Sequence, residues 1–141
     1  MPPIRVLFLC THNSARSQMA EGLLRFLGKD RFDVLSAGTA PGNVHPLAVR
    51  AMNEIGIDIS TATSKHVDQF AGQDFAYVIT VCDQANESCP IFPGDTKRIH
   101  WSFPDPSAAT GSEEERMAAF RRVRDELRGR LRSWIPVATR Q

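Results

Sequence analysis

Cys10 and Arg16 stand six positions apart in "LFLCTHNSARSQMAEGLL", residues 7–24. Between them lie Thr11, His12, Asn13, Ser14 and Ala15, all small except the histidine. A loop of this kind between a strand and a helix start turns backbone N–H groups inward as a nest for an oxyanion. Arg16 adds a bidentate guanidinium fork. The same positive field favours Cys10 as the thiolate, the nucleophilic form. Ser14 and Ser17 are placed to hydrogen-bond the sulfur or brace the loop. Asn13 suits the left-handed backbone that a tight cradle needs. The candidate anion site is therefore Thr11, His12, Asn13, Ser14, Ala15, Arg16 and Ser17, with Cys10 as nucleophile. No G-x-x-x-x-G-K-[ST] is present, so this is not a Walker loop. Taken alone, Cys10 also reads as a buried core thiol.

The elements that must position these residues alternate along the chain. Ile4–Leu9 is, after one arginine, a continuous apolar run, as for a strand buried on both faces. Met19, Ala20, Leu23, Leu24 and Leu27 recur at helical spacing, with Gly28 to end the helix. "FDVLSAGT" reads as a second strand. "HPLAVRAMNEIGI" reads as a helix with Pro46 in its first turn and Gly56 at its end. Val67–Ala71 is a short helical piece, Phe75–Val81 a strongly apolar strand, and "KRIHWSF" a shorter, more exposed one. Ser112 and Glu115 form a capping-box signature. Met117, Phe120, Val123, Leu127, Leu131 and Trp134 then mark one face of a long closing helix. The fold class implied is α/β: a three-layer, four-stranded parallel sheet with helices on both faces, flavodoxin-like. Ligands of such sheets sit outside the carboxyl ends of the strands, at the switch point of strand order. Cys10 and Cys82 each close the carboxyl end of an apolar strand. If those strands are neighbours, about 5 Å apart, both thiols reach one crevice.

At 141 residues, with 42% apolar and 23% charged residues, the chain is expected to form a single domain, residues 1–141. A net charge of +1 argues against disorder and against a broad nucleic-acid-binding surface. No apolar stretch approaches the ~20 residues of a membrane span, and Ile4–Leu9 is too short for a signal-peptide core. The expected location is the cytoplasm, where thiols stay reduced. Three cysteines, Cys10, Cys82 and Cys89, make a disulfide framework a poor reading and catalytic or redox thiols a better one. No histidine has ligand spacing with them, so no metal site is expected.

"VLFLCTHNSARSQMAEGLL" resembles the signature loop of the low-molecular-weight protein tyrosine phosphatase superfamily. More closely, the chain resembles the thioredoxin-coupled arsenate reductases built on that fold, through "LSAGT", "VITVCDQANESCP" and "HWSFPDPSAATG" in order and spacing. The resemblance implies that Cys10 attacks arsenate held by the loop and Arg16, and that Asp105 protonates the leaving oxygen. It implies that Cys82 then attacks Cys10, releasing arsenite, and that Cys89 attacks Cys82 to leave a Cys82–Cys89 disulfide. Thioredoxin is the implied external reductant, no cofactor is bound, and phosphate or sulfate compete with arsenate. If the segment between Cys82 and Cys89 were helical, its ends would lie roughly 10 Å apart. A disulfide tolerates about 7 Å between alpha carbons, so "DQANES" is expected to rearrange when the second disulfide forms.

Some members of the superfamily hold potassium through residues matching Asn13, Glu21, Ser36 and an acidic side chain near position 65. Lys65 stands there instead, and its ammonium is expected to replace the cation and pair with Glu21. Two other functions are open. One is phosphotyrosine hydrolysis by Cys10, Arg16 and Asp105, against which "DPSAATG" lacks the adjacent tyrosines usual in phosphatases of this fold. The other is a non-enzymatic flavin- or anion-binding module.

Overall fold

The computed structural model describes residues 2–82 and 95–140. Strands β1 (Ile4–Cys10), β2 (Phe32–Gly38), β3 (Tyr77–Thr80) and β4 (Lys97–His100) form one parallel sheet in the order β2-β1-β3-β4. Three α-helices occur among the described residues: α1 (Arg16–Gly28), α2 (Pro46–Asn53) and α3 (Glu113–Ala138). Short 3-10 turns occupy Lys29–Arg31, Val67–Phe70 and Pro106–Ala108. This is the α/β architecture implied by the alternation of strands and helices.

Apolar continuity explains the centre of the sheet. Val6, Leu7, Phe8 and Leu9 are all fully buried, which requires cover on both faces of β1 because successive side chains point opposite ways. The expected apolar face of α3 is buried from Met117 to Trp134. Its start is the reciprocal capping box of Ser112 and Glu115. Trp134 meets Tyr77 and Trp101 edge-to-face and Phe32 at a tilt. Arg124, buried on the same helix, donates to the Ala51 carbonyl and to Glu54 at 2.9 Å each, tying α3 to α2.

Some boundaries differ from the sequence expectations. β3 is shorter than Phe75–Val81 by strand geometry, yet the ladder continues past both ends. Ala76 N–H donates to Arg5 O, and Val81 N–H to Leu9 O, at 2.9 Å each. α2 stops at Asn53, and Gly56 takes the turn that follows with φ +82°. At the end of α1, the left-handed residue is Lys29 (φ +50°), while Gly28 is still helical. Gly28 is needed for closeness: a Cβ there would lie 2.3 Å from the Phe32 ring.

Gly28→Ala is therefore expected to destabilise the fold by about 1–3 kcal/mol, the range for overpacking a filled site. Thermal unfolding checks it, and an unchanged melting temperature would contradict the packing argument.

Candidate active site

The loop from Thr11 to Ala15 follows β1 directly and feeds α1. Each of its carbonyls is taken by a donor beyond the loop. The Thr11 carbonyl accepts from Ala40 N–H at 2.8 Å, His12 from Gly42 at 3.1 Å, Ser14 from His45 at 2.9 Å and Ala15 from Met19 at 2.9 Å. The Asn13 carbonyl accepts from the Ser64 hydroxyl at 2.7 Å and from Gln18 Nε2 at 3.1 Å. With the carbonyls drawn outward, loop N–H groups turn to the other side, and that of Asn13 reaches the Cys10 sulfur.

Asn13 has φ +50° and is wholly buried. Its amide is saturated. Nδ2 donates to Ser17 Oγ at 2.8 Å and Ser36 Oγ at 2.9 Å. Oδ1 accepts from Gln18 Nε2 at 3.0 Å and Lys65 N–H at 2.9 Å. Gly38 leaves room for this: a Cβ there would lie 2.5 Å from the Thr11 carbonyl oxygen.

β1 and β3 are neighbours, with Leu9 opposite Thr80, so Cys10 and Cys82 do share a crevice. The Cys82 thiol hydrogen-bonds the Cys10 sulfur and lies 3.4 Å from Thr11 Oγ1. Cys10 is pulled down to about 5, first by the Cys82 hydrogen bond, against burial, with Ser17, Arg16 and the Asn13 N–H adding to the pull. It is a thiolate at neutral pH.

Above the sulfur is a cavity of about 20 Å³ lined by Cys10, His12, Ser14, Ala15, Arg16, Asp105 and Ser107. Larger hollows of about 680 and 540 Å³ lie elsewhere and contain no thiol, so chemistry rather than size marks the site. Arg16 donates to the Phe103 carbonyl at 3.0 Å and approaches Asp105 at 3.8 Å. Its Nε is buried without a partner among the described residues, a donor left over for a bound anion. Asp105 Oδ1 accepts from Ser107 N–H at 3.0 Å and Ser107 Oγ at 2.7 Å. Burial pushes its carboxyl up, but the two Ser107 bonds, Arg16 and His12 bring it below the ordinary carboxylate value. These contacts favour the carboxylate form.

Thus Cys10, His12, Ser14, Ala15, Arg16 and Asp105 meet at one cavity, while Thr11 faces Cys82 and Asn13 and Ser17 lie beneath. Cys89, and the expected rearrangement of the segment before it, lie outside the described residues. His45 and His66 cap helical turns through Nδ1, accepting from Leu47 and Asp68 N–H. Burial, and then Arg116, push His45 down, which suits an accepting ring.

The expected Lys65–Glu21 pair is not formed. Glu21 Oε2 pairs with Arg25 at 2.9 Å, one helical turn away, and Oε1 accepts from Ser36 at 2.6 Å. Lys65 Nζ donates to the Thr63 carbonyl at 2.8 Å, although it still feels the charge of Glu21. The amide nitrogen of Asn13 faces Ser36, and Ser36 and Arg25 engage the two Glu21 oxygens. No cluster of three or more His, Cys, Asp or Glu suited to a metal occurs among the described residues. Gln18, Gly38 and Ser64 were not singled out by the sequence. A polar Gln18 beside the apolar pair Met19 and Ala20 of α1 was the one available signal.

The relatives fit this geometry. The arsenate reductase of Halalkalibacterium halodurans is 50% identical over 130 residues, 92% of this chain and 93% of that protein. A solved arsenate reductase in the phosphate binding state is 34% identical with a TM-score of 0.75, covering 94% of this chain and 97% of its own. A thioredoxin-dependent arsenate reductase of Corynebacterium glutamicum is 29% identical with a TM-score of 0.77, covering 99% of this chain and 64% of its own. The family model for low molecular weight phosphotyrosine protein phosphatases matches residues 5–141, and the chain belongs to that family.

Two expectations follow. Alkylation of Cys10, resolved by mass, should hold its rate down to about pH 5 and fall below it. In Cys82→Ala the midpoint should move up, and an unmoved midpoint would exclude the thiol–thiol hydrogen bond as the cause. Arsenate-dependent turnover should be equal in potassium and sodium salts at matched ionic strength, whereas clear potassium activation would restore a cation site.

Proposed function

We propose that the protein reduces arsenate to arsenite, with Cys10, Cys82 and Cys89 as an electron relay and thioredoxin as the external reductant. The single observation that carries this reading is the Cys82 thiol on the Cys10 sulfur at the mouth of an anion cradle. The relatives named arsenate reductase support it.

The steps balance. The loop amides and Arg16 hold the oxyanion while Cys10 Sγ bonds to arsenic, and Asp105 gives a proton to the oxygen that departs as water. Cys82 attacks Cys10 Sγ as the S–As bond breaks, and its electron pair stays on arsenic. Arsenite leaves, with Cys10 and Cys82 joined by a disulfide. Cys89 then attacks Cys82 and frees Cys10, and the dithiol of thioredoxin reduces the Cys82–Cys89 bond. No bound cofactor is required. Phosphate and sulfate share the charge and shape of arsenate and are expected competitors. The reaction suits the cytoplasm, where thiols are kept reduced. Among the described residues no helix is long and apolar enough to cross a membrane.

Phosphotyrosine hydrolysis is the second reading, favoured by the family and by the Cys10, Arg16 and Asp105 set. Against it, Pro106, Ser107, Ala108 and Ala109 follow Asp105 and offer no aromatic wall for a substrate ring. A non-catalytic flavin- or anion-binding module has no use for a second thiol on the first.

Arsenate-dependent NADPH oxidation with thioredoxin and its reductase tests the proposal. Wild type should turn over. Cys89→Ser should stop after one cycle with a Cys10–Cys82 disulfide visible by mass. Normal turnover in Cys89→Ser would overturn the three-thiol relay.

A further inference from the structure

The proposed reaction requires Asp105 to hold a proton, yet its surroundings bind the carboxylate. Oδ1 receives both Ser107 donors and Oδ2 faces Arg16 at 3.8 Å. A proton must therefore be brought to Asp105 in every cycle, and a neighbouring group open to solvent can carry it there. The residues that line the cavity decide which. Cys10 is the nucleophile and Ala15 is inert. The hydroxyls of Ser14 and Ser107 are far too weak as acids, and an arginine does not give up its proton. Among the described residues at the cavity, His12 is left, with a ring whose two nitrogens can each hold or release a proton.

The geometry of His12 suits that task. Its Nδ1 lies 2.9 Å from the Ala40 carbonyl oxygen. A carbonyl only accepts, so Nδ1 carries the hydrogen and Nε2 is the nitrogen that gains and loses a proton. The ring is exposed, open to protons from solvent. Its backbone is fixed as well, because the His12 carbonyl accepts from Gly42 N–H at 3.1 Å. Ring and backbone are thus both held by the segment 40–42 at the rim of the cavity.

We propose that His12 is a proton-relay residue that loads Asp105 from solvent through Nε2. This rests on the reductase reading given above. In the relay, the Nε2–H bond of the imidazolium breaks and an O–H bond forms on Asp105. That O–H breaks in turn as the arsenic–oxygen bond opens, and water leaves. The neutral imidazole then takes a proton from solvent. No electron moves in these steps, and the redox change stays with the thiols. The charged groups facing His12 are Asp105 and Arg16 across the cavity and the Cys10 thiolate at its floor; from the segment 40–42 it meets only the neutral Ala40 carbonyl.

Single-turnover loss of thiols after mixing with arsenate, without thioredoxin, tests this in wild type, His12→Gln, Asp105→Asn and the double variant. His12→Gln is expected to slow the step about tenfold or more, within the span of lost acid–base catalysis. The double variant should be no slower than the slower single one, because one relay is broken in both. Phosphate affinity, measured by calorimetry, should stay within twofold in His12→Gln, and added imidazole should restore rate to His12→Ala. The proposal is overturned by a His12→Gln rate within twofold of wild type or by multiplying losses in the double variant. It is equally overturned by a fall in phosphate affinity as large as the fall in rate, which would make His12 a binding charge. Absence of any arsenate-dependent thiol loss in wild type would instead overturn the reductase reading, and the relay with it.

Discussion

The site depends on one buried amide. Asn13 sits in the left-handed region with no exposure, and all four hydrogen-bonding positions of its side chain are filled. A left-handed conformation is uncommon outside glycine, and each buried polar group left unpaired costs about 1–3 kcal/mol. The chain therefore keeps this turn only where the full set of partners is present. Ser17 and Gln18 come from α1, Ser36 from β2, and the Lys65 N–H from the segment beyond α2. Three separate stretches converge on the residue that reverses the chain between β1 and α1. From Ser36 the network runs to Glu21 and on to Arg25, so the cradle is tied to the body of the first helix.

Once that turn is fixed, the remaining electrostatics follow from backbone direction. Carbonyls drawn outward by Ala40, Gly42, His45 and Ser64 leave donors facing the sulfur. The same donors that favour a thiolate favour an incoming oxyanion, and two negative groups must then be held close together. Arg16 answers this with donors in different states: one is spent on Phe103, one faces Asp105, and Nε has no partner among the described residues. An unpaired buried donor is unfavourable in the resting protein, and a bound anion relieves it.

What the sequence disclosed and what it concealed divide by range. The strand, loop and helix around Cys10 were legible because they are contiguous, and the left-handed role of Asn13 was readable from residue type. The nearness of Cys82 was legible only through the parallel topology, in which β1 and β3, not consecutive in the chain, lie side by side. Gln18, Ser64 and Gly38 were not, since each acts across the fold on the loop backbone and none has a distinctive local pattern. Gly28 was read as a conformational stop and proved to be a spacer for Phe32, a distinction set by a ring four residues on. Lys65 was paired with Glu21 on the strength of likeness, yet Arg25 lies one turn from Glu21 on the same helix and reaches it first.

On the proposed reading, reduction and hydrolysis share an adduct and differ only in what attacks next. Water would attack the central atom and return the oxyanion unchanged in oxidation state. A thiol attacking the sulfur leaves an electron pair behind on arsenic. The choice then rests on which nucleophile is already in place. Positioned intramolecular groups act as though present at about 10⁵ M or more, far beyond any concentration water attains. Cys82 has that advantage because β3 lies next to β1 with Thr80 opposite Leu9, so the residue two positions further on meets Thr11 and the Cys10 sulfur. Arsenic accepts the electron pair readily and phosphorus does not. The same cradle can therefore bind either oxyanion, while the register of two strands commits the adduct of one of them to reduction.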